Sequence, residues 1–149
     1  MSDGLDVIVI DDDLSVCAVI CEIIKRFYVW GDVLGFSSAD EAKAHCLGRK
    51  TSIAIFVLDV FLKGESGFYF LDDISDKYPS AYQDTIIITG KASDDVVDMC
   101  IASDVSYLLE KPVKPYALQL AVRAIAQKYL QFAKRIMEDP VFADSVARF

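Results

Sequence analysis

The sequence predicts an α/β fold: a five-stranded parallel sheet with helices on both faces. Three observations carry that prediction. Short β-branched apolar runs alternate five times with segments of helical periodicity along the 149 residues. The runs VIVI, IAIFVL and TIIIT lack polar alternation, as strands buried on both faces do. Each run also ends on or against a polar residue: Asp11, Asp59 or Thr89.

Each element follows from its own signals. Residues 6–10 read as the first strand, and Leu14, Val16, Val19, Ile20, Ile23, Ile24 and Phe27 then recur at helical spacing, with Asp13 as the expected cap. Residues 32–36 make a short second strand. Ser38 with Glu41 three positions later is a capping-box signature, opening a helix to about Leu47. The third strand, residues 53–58, stops at Asp59. After the turn KGESG a helix runs from about Phe68 to Tyr78, where Pro79 ends it. Residues 85–89 are the fourth strand, and Ser93 caps a helix to about Ala102. Residues 106–109 form the fifth strand, and a long helix follows Pro115. Such alternation requires a covered parallel sheet. Right-handed crossovers then favour the doubly wound, flavodoxin-like order 2-1-3-4-5 with an extended C-terminal helix.

Composition sets the surroundings. The length predicts one domain, and although 54% of residues are hydrophobic, charged residues divide them into stretches too short to span a membrane. No basic segment leads into an apolar one at the N-terminus, so no signal peptide is visible. Cys17, Cys21, Cys46 and Cys100 lack metal-ligand spacing, with His45 the single histidine to join them, and the Cys17/Cys21 pair reads as helix packing. A reducing cytoplasm fits these features. A net charge of −8 argues against direct nucleic-acid binding by this chain.

The polar strand ends raise a chemical question. In open α/β sheets the ligand crevice lies outside the carboxyl ends of the strands. Strand one delivers Asp11 and Asp12 there, strand three Asp59, strand four Thr89 with Gly90, and strand five Lys111 before Pro112. Two unit charges about 4 Å apart repel by roughly 4 kcal/mol at an effective dielectric near 20, so crowded carboxylates call for a cation, a proton or solvent. Helix capping explains one acid of the DDD run. It does not explain carboxylates from two strands meeting a hydroxyl and an ammonium.

Over residues 6 to about 127 the chain resembles a response-regulator receiver domain of two-component signalling. The residues that carry the likeness are the acidic pair Asp11 and Asp12, Asp59 in LDVFLKGESG, Thr89 in IIITG, Lys111 in EKP, and Gly67 eight after Asp59. The resemblance implies a signalling module rather than an enzyme. Asp59 would take a phosphoryl group from a sensor histidine kinase or phosphotransfer protein. Asp12 and Asp59, with the main-chain carbonyl of Phe61, would hold Mg²⁺, and Asp11 would act mainly through a bound water. Thr89 and Lys111 would contact the phosphoryl oxygens. The chain would be a stand-alone receiver or the first part of a longer regulator.

Departures from the family pattern carry their own expectations. Lys63 stands where that turn usually has proline. Phe61 and Lys91 occupy the variable positions that tune phosphoryl lifetime, and a bulky Phe61 would obstruct attacking water. The family's switch aromatic falls at Leu108, with Tyr107 one earlier and expected to face the other way. The DDDLS stretch also resembles the DxDx(T/S) motif of haloacid-dehalogenase-type phosphatases, with Asp11 as nucleophile and Asp13 as acid and base. That alternative leaves Asp59 without a role and finds no acid between Lys111 and Glu138.

The C-terminal part is expected to differ from an ordinary receiver. We divide the chain into a receiver, residues 1–127, and a helical extension, residues 128–149. Leu118, Val122, Ile125, Tyr129, Phe132 and Ile136 follow heptad spacing, so the helix should outrun the sheet. Its last apolar positions then need a second protomer, giving a homodimer through this helix, or a fold-back of VFADSVARF after Pro140.

Overall fold

The computed structural model describes residues 4–148. Its strands are β1 (Val7–Ile10), β2 (Val33–Phe36), β3 (Ile55–Leu58), β4 (Phe61–Leu62), β5 (Glu65–Ser66), β6 (Thr85–Thr89) and β7 (Tyr107–Glu110). Five of them form one parallel sheet in the order β2-β1-β3-β6-β7, while β4 and β5 make a separate antiparallel ribbon. With the ribbon set aside, this is the expected doubly wound order 2-1-3-4-5. The helices are α1 (Leu14–Lys25), α2 (Ala39–Gly48), α3 (Gly67–Ile74), α4 (Asp94–Ala102), α5 (Pro115–Glu138) and α6 (Pro140–Val146).

The period-2 direction of strand side chains divides the core into two layers. Val7, Val9, Ile55, Val57, Ile86 and Ile88 pack under α1 and α5, whereas Ile8, Ile10, Phe56, Leu58 and Ile87 face α2, α3 and α4. All of these side chains are buried. Cys17 and Cys21 are packed as expected, against Gly35 of β2. A Cβ on Gly35 would lie 2.8 Å from the Cys21 sulfur and 3.0 Å from that of Cys17, so the close approach of α1 to this strand requires glycine.

Caps end the helices where the sequence places them. The Asp13 carboxylate accepts from the Ser15 and Val16 amides at the start of α1, Ser38 caps α2, and Ser93 caps α4. One helix differs from expectation. α3 ends at Ile74 instead of running to Tyr78, because the Ser75 hydroxyl donates to the Asp72 carbonyl and Tyr78 turns into the core, its hydroxyl donating to the Cys46 carbonyl at 2.7 Å. The KGESG turn is likewise tighter than a plain loop, since Gly64, at φ +86°, joins the two short strands of the ribbon.

The long helix outruns the sheet, and the fold-back is what covers its end. Leu118, Val122 and Ile125 are buried in the core. Tyr129 packs at the edge of the same layer and its hydroxyl donates to Asp84, which Lys128 also contacts at 2.5 Å. Asp139 closes α5 and caps α6 by accepting from the Phe142 amide. Phe142 then meets Phe132 edge-on, with ring centres 5.8 Å apart. No helix among the described residues is long and apolar enough to cross a membrane.

Candidate functional site at the carboxyl edge of the sheet

The ladder itself brings the acids together. The Asp11 amide donates to Phe36 and the Asp59 amide to Ile10, so each residue leaves its strand one step beyond the β1–β3 register pair Ile10 and Leu58. The Lys111 amide donates to the Thr89 carbonyl at 2.8 Å, and the Lys111–Pro112 peptide is cis. From there the lysine reaches back past β6. Its Nζ lies 2.7 Å from Asp59 Oδ2 and 2.8 Å from Asp11 Oδ2.

The two carboxylates differ in how they are satisfied. Asp59 accepts from the Phe61 amide at Oδ1 and from Lys111 at Oδ2. Asp11 accepts from the Asp13 amide at Oδ1, but its Oδ2 is buried and has no hydrogen-bond donor, because the Lys111 contact is an ion pair without hydrogen-bond alignment. Asp11 is 1% exposed and Asp59 7%. Burial works against the charged form of Lys111, yet its contacts to Asp11 and Asp59 outweigh that and hold the ammonium above its ordinary value.

The remaining expected residues line the same edge without joining this contact. Asp12 Oδ2 accepts from the Lys63 amide at 3.0 Å, which ties the β4–β5 ribbon to the end of β1. Thr89 is fully buried and its hydroxyl donates to the Lys91 carbonyl at 3.4 Å. Phe61 touches Asp59 through its amide while its side chain is exposed. Gly67 sits under Asp59: a Cβ there would fall 2.3 Å from Leu58 Cδ1 and 2.4 Å from the Asp59 carbonyl oxygen. Tyr107 faces the α1–α5 layer and Leu108 the opposite one, so the tyrosine does point away from α4.

Sequence reasoning missed two buried acids at the other edge. Asp6 pairs with Arg49 at 3.1 Å, and Asp84 takes Lys128 and Tyr129. The available signal was that each of these acids stands directly before a β-branched run, VIVI after Asp6 and TIIIT after Asp84.

The donor set at the carboxyl edge fits a hard divalent cation. Asp11, Asp12 and Asp59 offer carboxylate oxygens, Phe61 a carbonyl, and Asp11 Oδ2 is a buried acceptor short of a donor. Among the described residues no three His, Cys, Asp or Glu side chains are drawn together tightly enough to hold a metal by themselves. Asp13, the acid and base of the phosphatase alternative, is engaged instead as the cap of α1, where the Ser15 hydroxyl bond above all holds its carboxyl below the usual range.

Three solved receiver domains share this architecture. A response regulator receiver domain protein from Clostridium thermocellum superposes with a TM-score of 0.72 at 26% identity, covering 85% of this chain and 98% of that one. A CheY-like receiver domain protein from Methanospirillum hungatei JF-1 gives 0.69 at 17% identity, over 85% and 97%. The beryllofluoride-activated NtrC4 receiver domain, solved in solution as a dimer, gives 0.68 at 25% identity, over 83% and 98%. No curated protein sequence matches the chain. None of these matches supports a haloacid-dehalogenase-type phosphatase. The family model described as the response regulator receiver domain matches residues 7–123, and on that match the chain belongs to the receiver family.

Proposed function

We propose that the chain is a phospho-accepting receiver, with Asp59 as the residue that takes the phosphoryl group from a histidine kinase or phosphotransfer protein. The observation that carries this reading is the Asp59–Lys111–Asp11 contact, in which one ammonium serves two buried carboxylates and leaves Asp11 Oδ2 without a donor. Receiver domains generally bind Mg²⁺ at the phosphorylation site, and here Asp11, Asp12, Asp59 and the Phe61 carbonyl are the groups we assign to hold it. Bound there, Mg²⁺ would supply charge neutralisation for the phosphoryl oxygens.

The chain's own residues would supply the rest. The Phe61 amide orients Asp59 through Oδ1, which leaves Oδ2 to attack the donor's phosphorus and form an acyl phosphate as the phosphorus–nitrogen bond breaks and the imidazole leaves on the donor's histidine. Lys111 would move from the free carboxylate to a phosphoryl oxygen. Thr89 would exchange its long bond to the Lys91 carbonyl for another. Phosphoryl transfer asks the protein chiefly for positioning and charge stabilisation, which is what this edge offers. The receiver unit is residues 1–127 and the extension residues 128–149, in a cytoplasmic protein that does not itself grip nucleic acid. A homodimer through the C-terminal helix would use Met137 and Val141, both left exposed where α5 turns into α6.

Acetyl phosphate with Mg²⁺ should add one acid-stable, base-labile phosphoryl group to the protein and none to Asp59→Asn. Normal labelling of that variant, with loss in Asp11→Asn instead, would transfer the assignment to the phosphatase.

A further inference from the structure

Away from the carboxyl edge, a groove of about 780 Å³ runs between α5 and α6. Ala124, Lys128, Gln131, Arg135 and Glu138 line it, separated by four, three, four and three residues, so they form one stripe of α5. This stripe is different from the positions Leu118, Val122 and Ile125 that pack on the sheet. Phe132 and Phe142 form its apolar wall, and Phe132 keeps 47% of its surface exposed even with that contact. The Arg135 guanidinium stands 5.3 Å from the centre of the Phe142 ring. The side chains of Gln127, Gln131 and Lys134, all on the groove, make no hydrogen bond or ion pair with any described residue.

The charge of this segment is opposite to that of the rest of the molecule. Residues 111–137 hold Lys111, Lys114, Arg123, Lys128, Lys134 and Arg135 and no Asp or Glu, whereas residues 1–110 hold eight basic side chains against twenty acidic ones. Lys111 and Lys128 are tied to buried aspartates, whereas Lys134 has no side-chain partner among the described residues and Arg135 meets Asp139 only at 4.0 Å, in an exposed pair that a stronger carboxylate contact can displace. A second copy offering the same face would set these cations against their equivalents, a juxtaposition that costs affinity. A nucleic acid would meet Lys134 and Arg135 but, as an extended polyanion, would also cross a surface of net negative charge. Its phosphates would find no use for the Phe132–Phe142 wall.

The geometry points to a docking groove for an acidic amphipathic helix of a partner protein, its apolar stripe on Phe132 and Phe142 and its carboxylates on Lys134 and Arg135. Helix-in-groove recognition uses anchors at i, i+3 or i+4, and i+7, and the open length of α5 beyond the sheet can carry them. This inference stands apart from the phospho-accepting reading, since no groove residue belongs to that site.

The test uses the full chain and a fluorescein-labelled synthetic peptide of Glu and Ala with Leu and Phe on one helical stripe. Fluorescence anisotropy should show binding to the native chain, weakened about tenfold or more by the double charge reversal Lys134→Glu with Arg135→Glu. Phe132→Ala should weaken it as well, and Lys134→Glu alone, at an exposed side chain with no bonded partner, covers the case in which the Phe132 variant loosens α6. Equal affinity for a scrambled peptide of the same composition, for polyglutamate or for duplex DNA overturns the proposal, as does indifference to the charge reversal. So does sedimentation showing that the native chain alone dimerises and that the charge reversal abolishes the dimer, because the occupant is then a second copy.

Discussion

Replacing Lys111 by Met keeps the stem that crosses the end of β6 and removes the charge from between Asp11 and Asp59. Because one ammonium touches both carboxylates, at 2.7 and 2.8 Å, their facing oxygens are no more than about 5.5 Å apart. At an effective dielectric near 20 two unit charges at that separation repel by about 3 kcal/mol. Breaking a buried ion pair by deleting one partner costs about 3–5 kcal/mol, and the partial exposure of Lys111 places this case at the lower end. We therefore expect Lys111→Met to lose about 3 kcal/mol at neutral pH without divalent metal, read as the urea midpoint by circular dichroism. The lysine is held above its ordinary value of 10.5, so its stabilisation is fully present below that value and is lost only as pH rises through the still higher value it has in the fold. Saturating Mg²⁺ should then return much of the deficit, since a ligand at about a hundred times its dissociation constant stabilises by about 2.7 kcal/mol. If the variant and the native protein unfold at the same urea concentration without Mg²⁺, the ammonium is not what holds the two carboxylates together and the reasoning fails.

Three further outcomes follow from the same geometry. Gly67→Ala should destabilise by about 1–3 kcal/mol and slow labelling of Asp59, because the new methyl meets the Asp59 carbonyl at 2.4 Å and backbone has to move; unchanged labelling kinetics would count against the packing account. Tyr129→Phe should lose about 1.5–3 kcal/mol, the range for a hydrogen bond to a charged group, and an unchanged thermal midpoint would mean that α5 does not depend on Asp84 for anchorage. Asp13→Ala should flatten the acid limb of the stability curve: the Asp13 carboxyl is held low in the fold, so its cap is intact above the ordinary value of 3.8 and fails as pH drops below it. Helicity followed by circular dichroism across that range in both proteins checks this.

The sheet was legible because β1, β3 and β6 are apolar on both faces, and a short uninterrupted β-branched run has few other uses. The carboxyl edge was legible for a related reason: Asp11, Asp59 and Lys111 each interrupt the pattern where a strand stops, and topology alone brings strand ends together. The direct contact of Asp11 with Lys111 was not legible, because it depends on how far a lysine stem reaches across an intervening strand. The β4–β5 ribbon escaped because two-residue strands are shorter than any periodicity. α3 was drawn too long because Tyr78 fits helical spacing after Phe70 and Ile74, while its destination, the Cys46 carbonyl, lies 32 residues away in sequence. Both possible covers for the end of α5 were visible, yet hydropathy does not distinguish Phe142 of the same chain from an apolar side chain of another.

Contrast between the two edges of the sheet gives the strongest physical reason to place function at one of them. At the amino edge, Asp84 is buried against a lysine and a tyrosine hydroxyl of its own. Asp6 is buried there against Arg49, while its other carboxylate oxygen accepts from the Asp32 amide at 2.8 Å. These acids are provided for by the fold itself and tie α5 and the loop after α2 to the strands. At the carboxyl edge the provision is short: two buried carboxylates share one lysine, and an Asp11 oxygen has no donor. A chain selected for stability alone has no use for that arrangement, since well-packed apolar groups in place of buried ions often leave a fold no less stable. Local frustration of this kind concentrates where a site must accept charge from outside. A cation and a phosphoryl group together would supply what the carboxyl edge lacks, whereas both carboxylates of the amino edge already have their partners. Removing Arg49 should therefore lower stability without altering phosphoryl uptake per folded molecule, and removing Lys111 should alter both.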